Sequence, residues 1–214
     1  MKKIFAIGDI HGCLEQLQKL ILSLDIDRQN DTLLFIGDYI DRGRAGRKVV
    51  EYVIWLRQEF RHIVFLLGNH EYMLLRYLDG IDEEMYLYNG GRVTLADYNI
   101  LPSDPPKLRK EKIPAEHLHF FQNLLPCYET EEHIFVHAGL KPGLSPGKQP
   151  VHNLLWVRQE FIDSDYDFGK RVIFGHTPLS HPLISPNKIG IDTGAVYGGK
   201  LTCVELPAVK IYQV

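Results

Sequence analysis

Five short apolar runs each stop at a polar loop, and that repeated ending restricts the fold more than any other feature of the sequence. Ile4 to Ile7 leads into Gly8-Asp9-Ile10-His11-Gly12, and Thr32 to Ile36 leads into Gly37-Asp38-Tyr39-Ile40-Asp41-Arg42-Gly43. His62 to Leu67 leads into Gly68-Asn69-His70-Glu71, Ile134 to Val136 into His137-Ala138-Gly139, and Arg171 to Phe174 into Gly175-His176-Thr177. Continuous apolar runs of this length read as buried strands. Between the first three, Leu14, Leu17, Leu20, Ile21 and Leu24, and then Val49, Val50, Val53, Ile54 and Leu56, recur at helical spacing, the second helix reaching to about Phe60. Strands alternating with helices imply a parallel sheet whose functional loops lie at the carboxyl ends of the strands. The polar loops lie at such ends.

Past Glu71 the pattern loosens. A short helix through Met73, Leu74, Tyr77 and Leu78 leads into residues 80–112, where Gly90-Gly91, Pro102, Pro105 and Pro106 break any long element, so this stretch reads as a cap or insertion. A helix is predicted over Ala115 to Leu125. After Pro182, short runs at Leu183-Ile184, Lys188 to Ile191, Leu201 to Leu206 and Val209 to Val214 are separated by Pro, Asn and Gly turns, the pattern of antiparallel strands. The second half is therefore predicted to form its own sheet against the first. With no internal repeat, low-complexity tract or linker, residues 1–214 are expected to share one core as one domain.

Composition narrows the function. At 214 residues and 45% hydrophobic content the chain can bury a substantial core. A net charge of -3 gives no footprint for nucleic-acid backbone, so no nucleic-acid partner is expected. Cys13, Cys127 and Cys203 are odd in number, far apart and outside any Cys-x-x-Cys, which fits neither a disulfide framework nor a cysteine zinc site and suits the cytoplasm. The apolar run after Met1-Lys2-Lys3 is too short for a signal segment or a membrane span, so no membrane partner is expected either.

Asp9, His11, Asp38, Asn69, His137 and His176 all follow strand ends. Taken singly, each has a plain explanation: Asp and Asn favour turns, Asp9 could cap the helix beginning near Gly12, and a lone histidine is commonly packing. Turn chemistry does not explain histidine at three corresponding strand ends, and metal ligation does. Oxygen donors mixed with imidazole suit Mn²⁺, Fe or Zn²⁺ rather than Ca²⁺, and six groups exceed the needs of one catalytic metal. Two divalent ions are implied, Mn²⁺ being favoured. Asp38 could bridge them at about 3.5–4 Å, the separation used for displacement at phosphorus, with a metal-activated hydroxide as nucleophile.

These blocks, in this order from Asp9 to about Gly199, resemble the signature of the calcineurin-like metallophosphoesterases, and in particular the phosphoprotein phosphatase branch and its bacterial and phage serine/threonine phosphatases. The resemblance implies a four-layer α/β/β/α sandwich with two mixed sheets and a two-metal centre. It places Asp9, His11 and Asp38 on the first metal and Asp38, Asn69, His137 and His176 on the second, with Asp38 as the bridge.

Arg42 is always protonated, so it cannot ligate a metal, but its planar fork suits phosphate oxygens as well as a surface pairing with Asp41. The resemblance assigns it the phosphate. Arg158, in Leu154-Leu155-Trp156-Val157-Arg158, resembles the family's second phosphate-gripping arginine, although an exposed helix arginine explains it too. His70 could protonate a leaving alkoxide, with Asp41 orienting it, a step worth roughly 10²–10⁴-fold. The pair could instead only steady the ligands, and the resemblance favours the acid. Tyr197, in the Gly-rich stretch Asp192 to Gly199, could close over substrate or belong to a plain hairpin. Arg92, Lys107, Arg109 and Lys110 read as a solvated charged face.

Three functions follow. The leading expectation is a serine/threonine protein phosphatase acting on phosphorylated protein, because Asp41-Arg42-Gly43 and Asn69-His70-Glu71 are in that branch's form. The alternative is a symmetrical diadenosine tetraphosphatase acting on a nucleotide, because Leu67 stands where protein phosphatases of this kind carry an arginine. A non-catalytic scaffold is disfavoured, since all six candidate ligands, Arg42 and His70 are present.

Overall fold

The computed structural model describes residues 2–214. All five strands that the apolar runs announce are where the sequence puts them: β1 (Ile4–Ile7), β2 (Thr32–Phe35), β3 (His62–Phe65) and, after β4 (Cys127–Glu129), β5 (His133–Val136) and β6 (Arg171–Phe174). The remaining strands are β7 (Leu183–Ile184), β8 (Lys188–Gly190), β9 (Thr202–Leu206) and β10 (Lys210–Gln213). They form two mixed five-stranded sheets, ordered β10-β9-β1-β2-β3 and β4-β5-β6-β8-β7. In the first, β1, β2 and β3 are parallel; in the second, β5, β6 and β8 are parallel.

The period-two alternation of strand side chains builds the layers. Phe5, Ile7, Leu33 and Phe35 face outward under α1 (Leu14–Ser23) and α2 (Gly46–Glu59), while Ala6, Leu34 and Ile36 face Phe135, Ile173 and Ile189 of the other sheet. On the far side Ile134, Val136, Val172 and Phe174 pack with Leu154 and Phe161, from the helices at Val151–Trp156 and Gln159–Ile162. Strands apolar at every position are thus sandwiched from both sides, which gives the α/β/β/α order the resemblance implies.

Two expectations are corrected. Of the late strands only β7 and β8 join the second sheet: β9 lies antiparallel against β1, and β10 against β9, so the C-terminal hairpin completes the first sheet. Val204 and Leu206 enter the inter-sheet core, which is why the hairpin is drawn there. The helix predicted to Leu125 runs only over Ala115–Gln122, because Leu125 donates its amide to Phe65 and Leu67 donates back to Leu125, extending the β3 edge.

Residues 80–112 are mostly short helices. After α3 (Asn69–Leu78) come α4 (Glu83–Tyr86), a π-helical turn at Leu87–Gly91, α5 (Arg92–Asp97) and α6 (Pro106–Glu111). Tyr86, Leu95, Tyr98 and Ile100 are buried in the same cluster as α1, α2 and the outer face of the first sheet. Arg109 is not part of a solvated face: it is buried, stacks 4.2 Å from the Tyr77 ring centroid, and donates to the carbonyls of Asp104, Tyr77 and Pro102 and to Glu83. The three cysteines are free. No helix among the described residues is long and apolar enough to cross a membrane.

Candidate active site

The loops after β1, β2, β3, β5 and β6 converge at one edge of the sandwich. Ile10 and His11 donate their amides to the Asp38 carbonyl at 3.0 and 2.8 Å, and Gly175 donates to the His137 carbonyl at 2.7 Å, so the loops are stitched to one another. Asp38, Asn69, His70, His137, His176, His11 and Asp9 are all buried. Eight non-glycine residues among those described adopt positive φ, and five of them, His11, Asp38, Asp41, Arg42 and His176, belong to this edge. Such conformations cost of order 1–3 kcal/mol each and persist where the surroundings impose them. Two glycines leave the carboxylates their room: a Cβ on Gly68 would sit 2.2 Å from Asp38 Oδ1, and one on Gly175 would sit 2.1 Å from Asp9 Oδ1.

Asp38 lies at the centre. His11 Nε2 is 3.2 Å from its Oδ2 and His137 Nε2 is 3.5 Å from its Oδ1. Burial opposes its ionisation, but His137, His70 and His11 together outweigh burial and hold the carboxyl well below the usual range. In each of two groups, His11-Asp38-His70 and Asp38-His137-His176, the donor atoms lie within 4.8 Å of one another, and Asp38 is common to both. Asp9 reaches the edge but turns both oxygens to the His176 amide, at 3.1 and 3.0 Å, and does not cap α1, whose N-cap is Cys13. Burial, with the charges of Asp192 and Asp38, raises its pKa well above the ordinary value.

The donor set calls for a cation. Burial lowers the pKa of His137 to about 4, so its ring is neutral near pH 7 and carries one proton. Nδ1 spends that proton on the Ile36 carbonyl at 3.2 Å, leaving the Nε2 lone pair 2.9 Å from Asn69 Oδ1, one acceptor against another. His176, lowered by burial to about 2, places Nδ1 3.0 Å from the same oxygen, and its buried Nε2 has no partner among the described residues. Converging lone pairs of this kind fit a divalent metal. On the other side, His11 donates Nδ1–H to the Ile40 carbonyl at 2.8 Å and turns Nε2 to Arg42 Nη1 at 2.5 Å.

His70 is fully buried, with Nδ1 2.6 Å from Asp41 Oδ2. The other Asp41 oxygen accepts from the Tyr86 hydroxyl at 2.9 Å and the Thr94 hydroxyl at 2.6 Å. His70 Nε2, 4.0 Å from Asp38 Oδ2, has no hydrogen-bond partner among the described residues. Tyr197 is exposed, its ring centroid 5.6 Å from the Arg42 guanidinium. Arg158 is exposed and within 3.5 Å of the His176 carbonyl and the Thr177 hydroxyl, which puts it on the rim beside His176.

Sequence reasoning assigned no role to Glu71, Tyr86, Thr94 or Asp192. The Glu71 carboxylate accepts the amides of Asp38, Tyr39, Ile40 and Gly68 at 2.8–3.3 Å, so it shapes the loop that carries Asp38. Asp192 follows the strand-like Lys188 to Ile191, the same strand-then-acid signal that marks Asp9 and Asp38. Tyr86 and Thr94 lie in the stretch whose pattern had dissolved.

Comparison with known proteins agrees with this geometry. The family described as calcineurin-like phosphoesterase matches residues 2–201. The bis(5'-nucleosyl)-tetraphosphatase PrpE [asymmetrical] of Bacillus mycoides (strain KBAB4) is 30% identical over 235 residues, covering 97% of this chain and 92% of the relative. Among solved structures, a candidate diadenosine tetraphosphatase superposes with a TM-score of 0.76 at 23% identity, covering 100% of this chain and 93% of its own. A cold-active protein tyrosine phosphatase superposes with a TM-score of 0.70 at 17% identity, covering 100% and 78%. Enzymes named for unlike substrates share this fold, so the fold alone does not choose among them.

Proposed function

The chain belongs to the calcineurin-like phosphoesterases, and from that premise we propose that it hydrolyses dinucleoside tetraphosphates at an off-centre anhydride, releasing a nucleoside monophosphate and a nucleoside triphosphate. That it is a phosphoric ester hydrolase follows from the family; the substrate is the proposal. The observation that carries it is the likeness, over nearly the whole of both chains, to a relative named as an asymmetrical tetraphosphatase. Leu67 agrees with this reading. It packs against the outer core, where a protein phosphatase of this type would present a cation to phosphate. Cleavage into equal halves, the form in which the nucleotide reading arose from sequence, gives way to the unequal cut in the relative's name.

Asp9, His11 and Asp38 would hold one divalent metal and Asp38, Asn69, His137 and His176 a second, with Mn²⁺, Fe and Zn²⁺ all suited to the donors. Bound there, the pair supplies Lewis acidity at phosphorus and a water acidified toward neutral pH. The protein's own groups do the rest. Arg42 grips phosphate oxygens with its fork, Arg158 extends that grip from the rim, and Tyr197 shields the outer side of Arg42. Asp41 holds Nδ1–H of His70, so a proton on Nε2 faces the site and passes to the departing phosphate oxygen. Asp41 in turn accepts from three donors, His70, Tyr86 and Thr94.

A second reading, hydrolysis of phosphoserine or phosphothreonine in proteins, is favoured by Asp41-Arg42-Gly43 and Asn69-His70-Glu71, which keep the protein phosphatase form. Diadenosine tetraphosphate and a phosphothreonine peptide offered side by side with Mn²⁺ separate the two, with His70→Asn as control. AMP and ATP in equal amounts support the proposal. ADP as sole product would restore the symmetrical cut, and turnover of the peptide alone would replace the substrate class.

A further inference from the structure

Beside His176 the molecule opens into an aromatic cleft of about 320 Å³ that the phosphate chemistry does not use. Its floor is Trp156, whose ring centroid lies 6.0 Å from that of His176 with the planes at 84°. Exposed His152 lies along the indole, 6.3 Å away and 27° from parallel. Tyr72 also lines it, with the Arg76 guanidinium, itself part of the lining, 5.8 Å from its ring, and Met85 lines it at 42% exposed.

The elements that supply the candidate site also supply this cleft. Asn69 and Tyr72 are three apart on α3, so they lie on neighbouring positions of one helix face. Trp156 and Arg158 both reach His176, the indole 6.0 Å from its ring centroid and the Arg158 Nη1 3.5 Å from its carbonyl. A substrate gripped through phosphate by Arg158 would therefore carry whatever is attached to that phosphate over the indole.

Resting on the dinucleotide reading above, we propose that this cleft binds a nucleobase of the substrate, stacked on Trp156 and bounded by Tyr72. Flat aromatic faces on two walls suit a flat heteroaromatic ring, and base stacking tolerates any base because each has a π-face. The nearest carboxylate, Asp82, is already engaged by Arg76 at 2.7 Å. The cleft is thus a neutral, aromatic slot adjoining a polar, anion-binding one, the division of character that a nucleotide presents.

The test reads Trp156 directly. The chain has two tryptophans, and Trp55 lies on α2, stacked on Tyr52, so Trp55→Phe leaves Trp156 as the sole indole emitter. AMP is expected to quench its fluorescence saturably, and ribose 5-phosphate, which keeps the sugar and phosphate without the base, is not. Equal responses to both ligands, or none, would overturn the cleft. In parallel, the ratio of kcat/KM for diadenosine tetraphosphate to that for tripolyphosphate is compared in wild type, Trp156→Leu and His152→Ala. A fall in the ratio on the order of tenfold in Trp156→Leu is expected from the loss of one stacking surface, with a smaller fall in His152→Ala. An unchanged ratio in both variants, in a protein that still cleaves the dinucleotide, would reject the base site and leave the proposed function standing. If the peptide is hydrolysed in place of the dinucleotide, the functional reading fails, and the AMP titration still decides the cleft.

Discussion

Tyr86 donates its hydroxyl to Asp41 Oδ1 across 2.9 Å, so a residue from the irregular stretch between two motifs holds the carboxylate that orients His70. Thr94, one helix later, reinforces it by donating to the same oxygen while accepting the Asp41 amide. Residues 80–112 are therefore part of the site's framework. Hydrogen bonds to a charged group are the strong kind, so Tyr86→Phe should lower kcat by on the order of tenfold, with KM nearly unchanged. Steady-state kinetics decide it. A variant that only melts earlier, with kcat intact, would show the tyrosine to be a packing residue.

Glu71 is a second hidden support. Its two oxygens collect four amides from the turn that carries Asp38, in a place where burial and the charges of Asp38 and Asp41 push its pKa well above the carboxylate norm. Glu71→Gln keeps the shape but sets amide hydrogens against backbone donors, costing about 2–4 kcal/mol. For a chain of this size that is a fall in Tm of roughly 4–16 °C, measured by thermal denaturation at saturating metal. An unchanged Tm would mean that the turn holds itself.

Asp38 is common to both donor groups, whereas His137 belongs to one. Metal analysis should accordingly find Asp38→Asn the more depleted of the two variants, with His137→Ala retaining part of the wild-type content. Chelation should destabilise the wild type by about 2.7 kcal/mol relative to free metal at a hundredfold its Kd, and should leave Asp38→Asn nearly unmoved. Equal metal content in the two variants would remove Asp38 from the bridging position.

Without metal, stability should carry the mark of the buried imidazoles. His137 titrates at about 4 in the fold and near 6.5 when unfolded, because burial disfavours its charge. Between those values the unfolded chain binds a proton that the folded one refuses. Its contribution is thus complete above about pH 6.5 and declines as the pH falls toward 4. Asp9 and Glu71, both raised by burial, tilt the other way. The difference between wild type and His137→Asn isolates the imidazole: in urea denaturation with chelator present, the variant should lose less stability than wild type between pH 7 and pH 5. Parallel curves would contradict the assigned direction.

Much of the sandwich was legible because Ile4 to Ile7 and Leu33 to Ile36 are apolar at every position, and only a strand covered on both faces needs that. The convergence of Asp38, Asn69, His137 and His176 was legible for a related reason, since polar residues at carboxyl ends of parallel strands have one common edge to occupy. The partnership of β9 with β1 was not, because hairpin residues such as Val204 state that they need an apolar face without stating which sheet provides it. Tyr86 and Thr94 left no trace, because a tyrosine or threonine in a Gly- and Pro-punctuated segment looks the same whether its hydroxyl meets water or a buried carboxylate. The positive φ of Asp38 and His176 was equally silent, being imposed by neighbouring loops rather than by the residues themselves.

The pairing of Ala6 with Val204 also bears on how the chain is made. β1 carries Asp9 at its end and sits between β2 and β9, yet β9 leaves the ribosome roughly two hundred positions after β1, a separation that slows folding because so long a loop must close first. Until then one side of β1 is an open edge able to pair with strands of other chains. The nascent protein can gather β2, β3 and their helices early, but Asp9 waits on the last strands for its final surroundings, so translation pauses or chaperones acting late in synthesis have more leverage over active yield than those acting early.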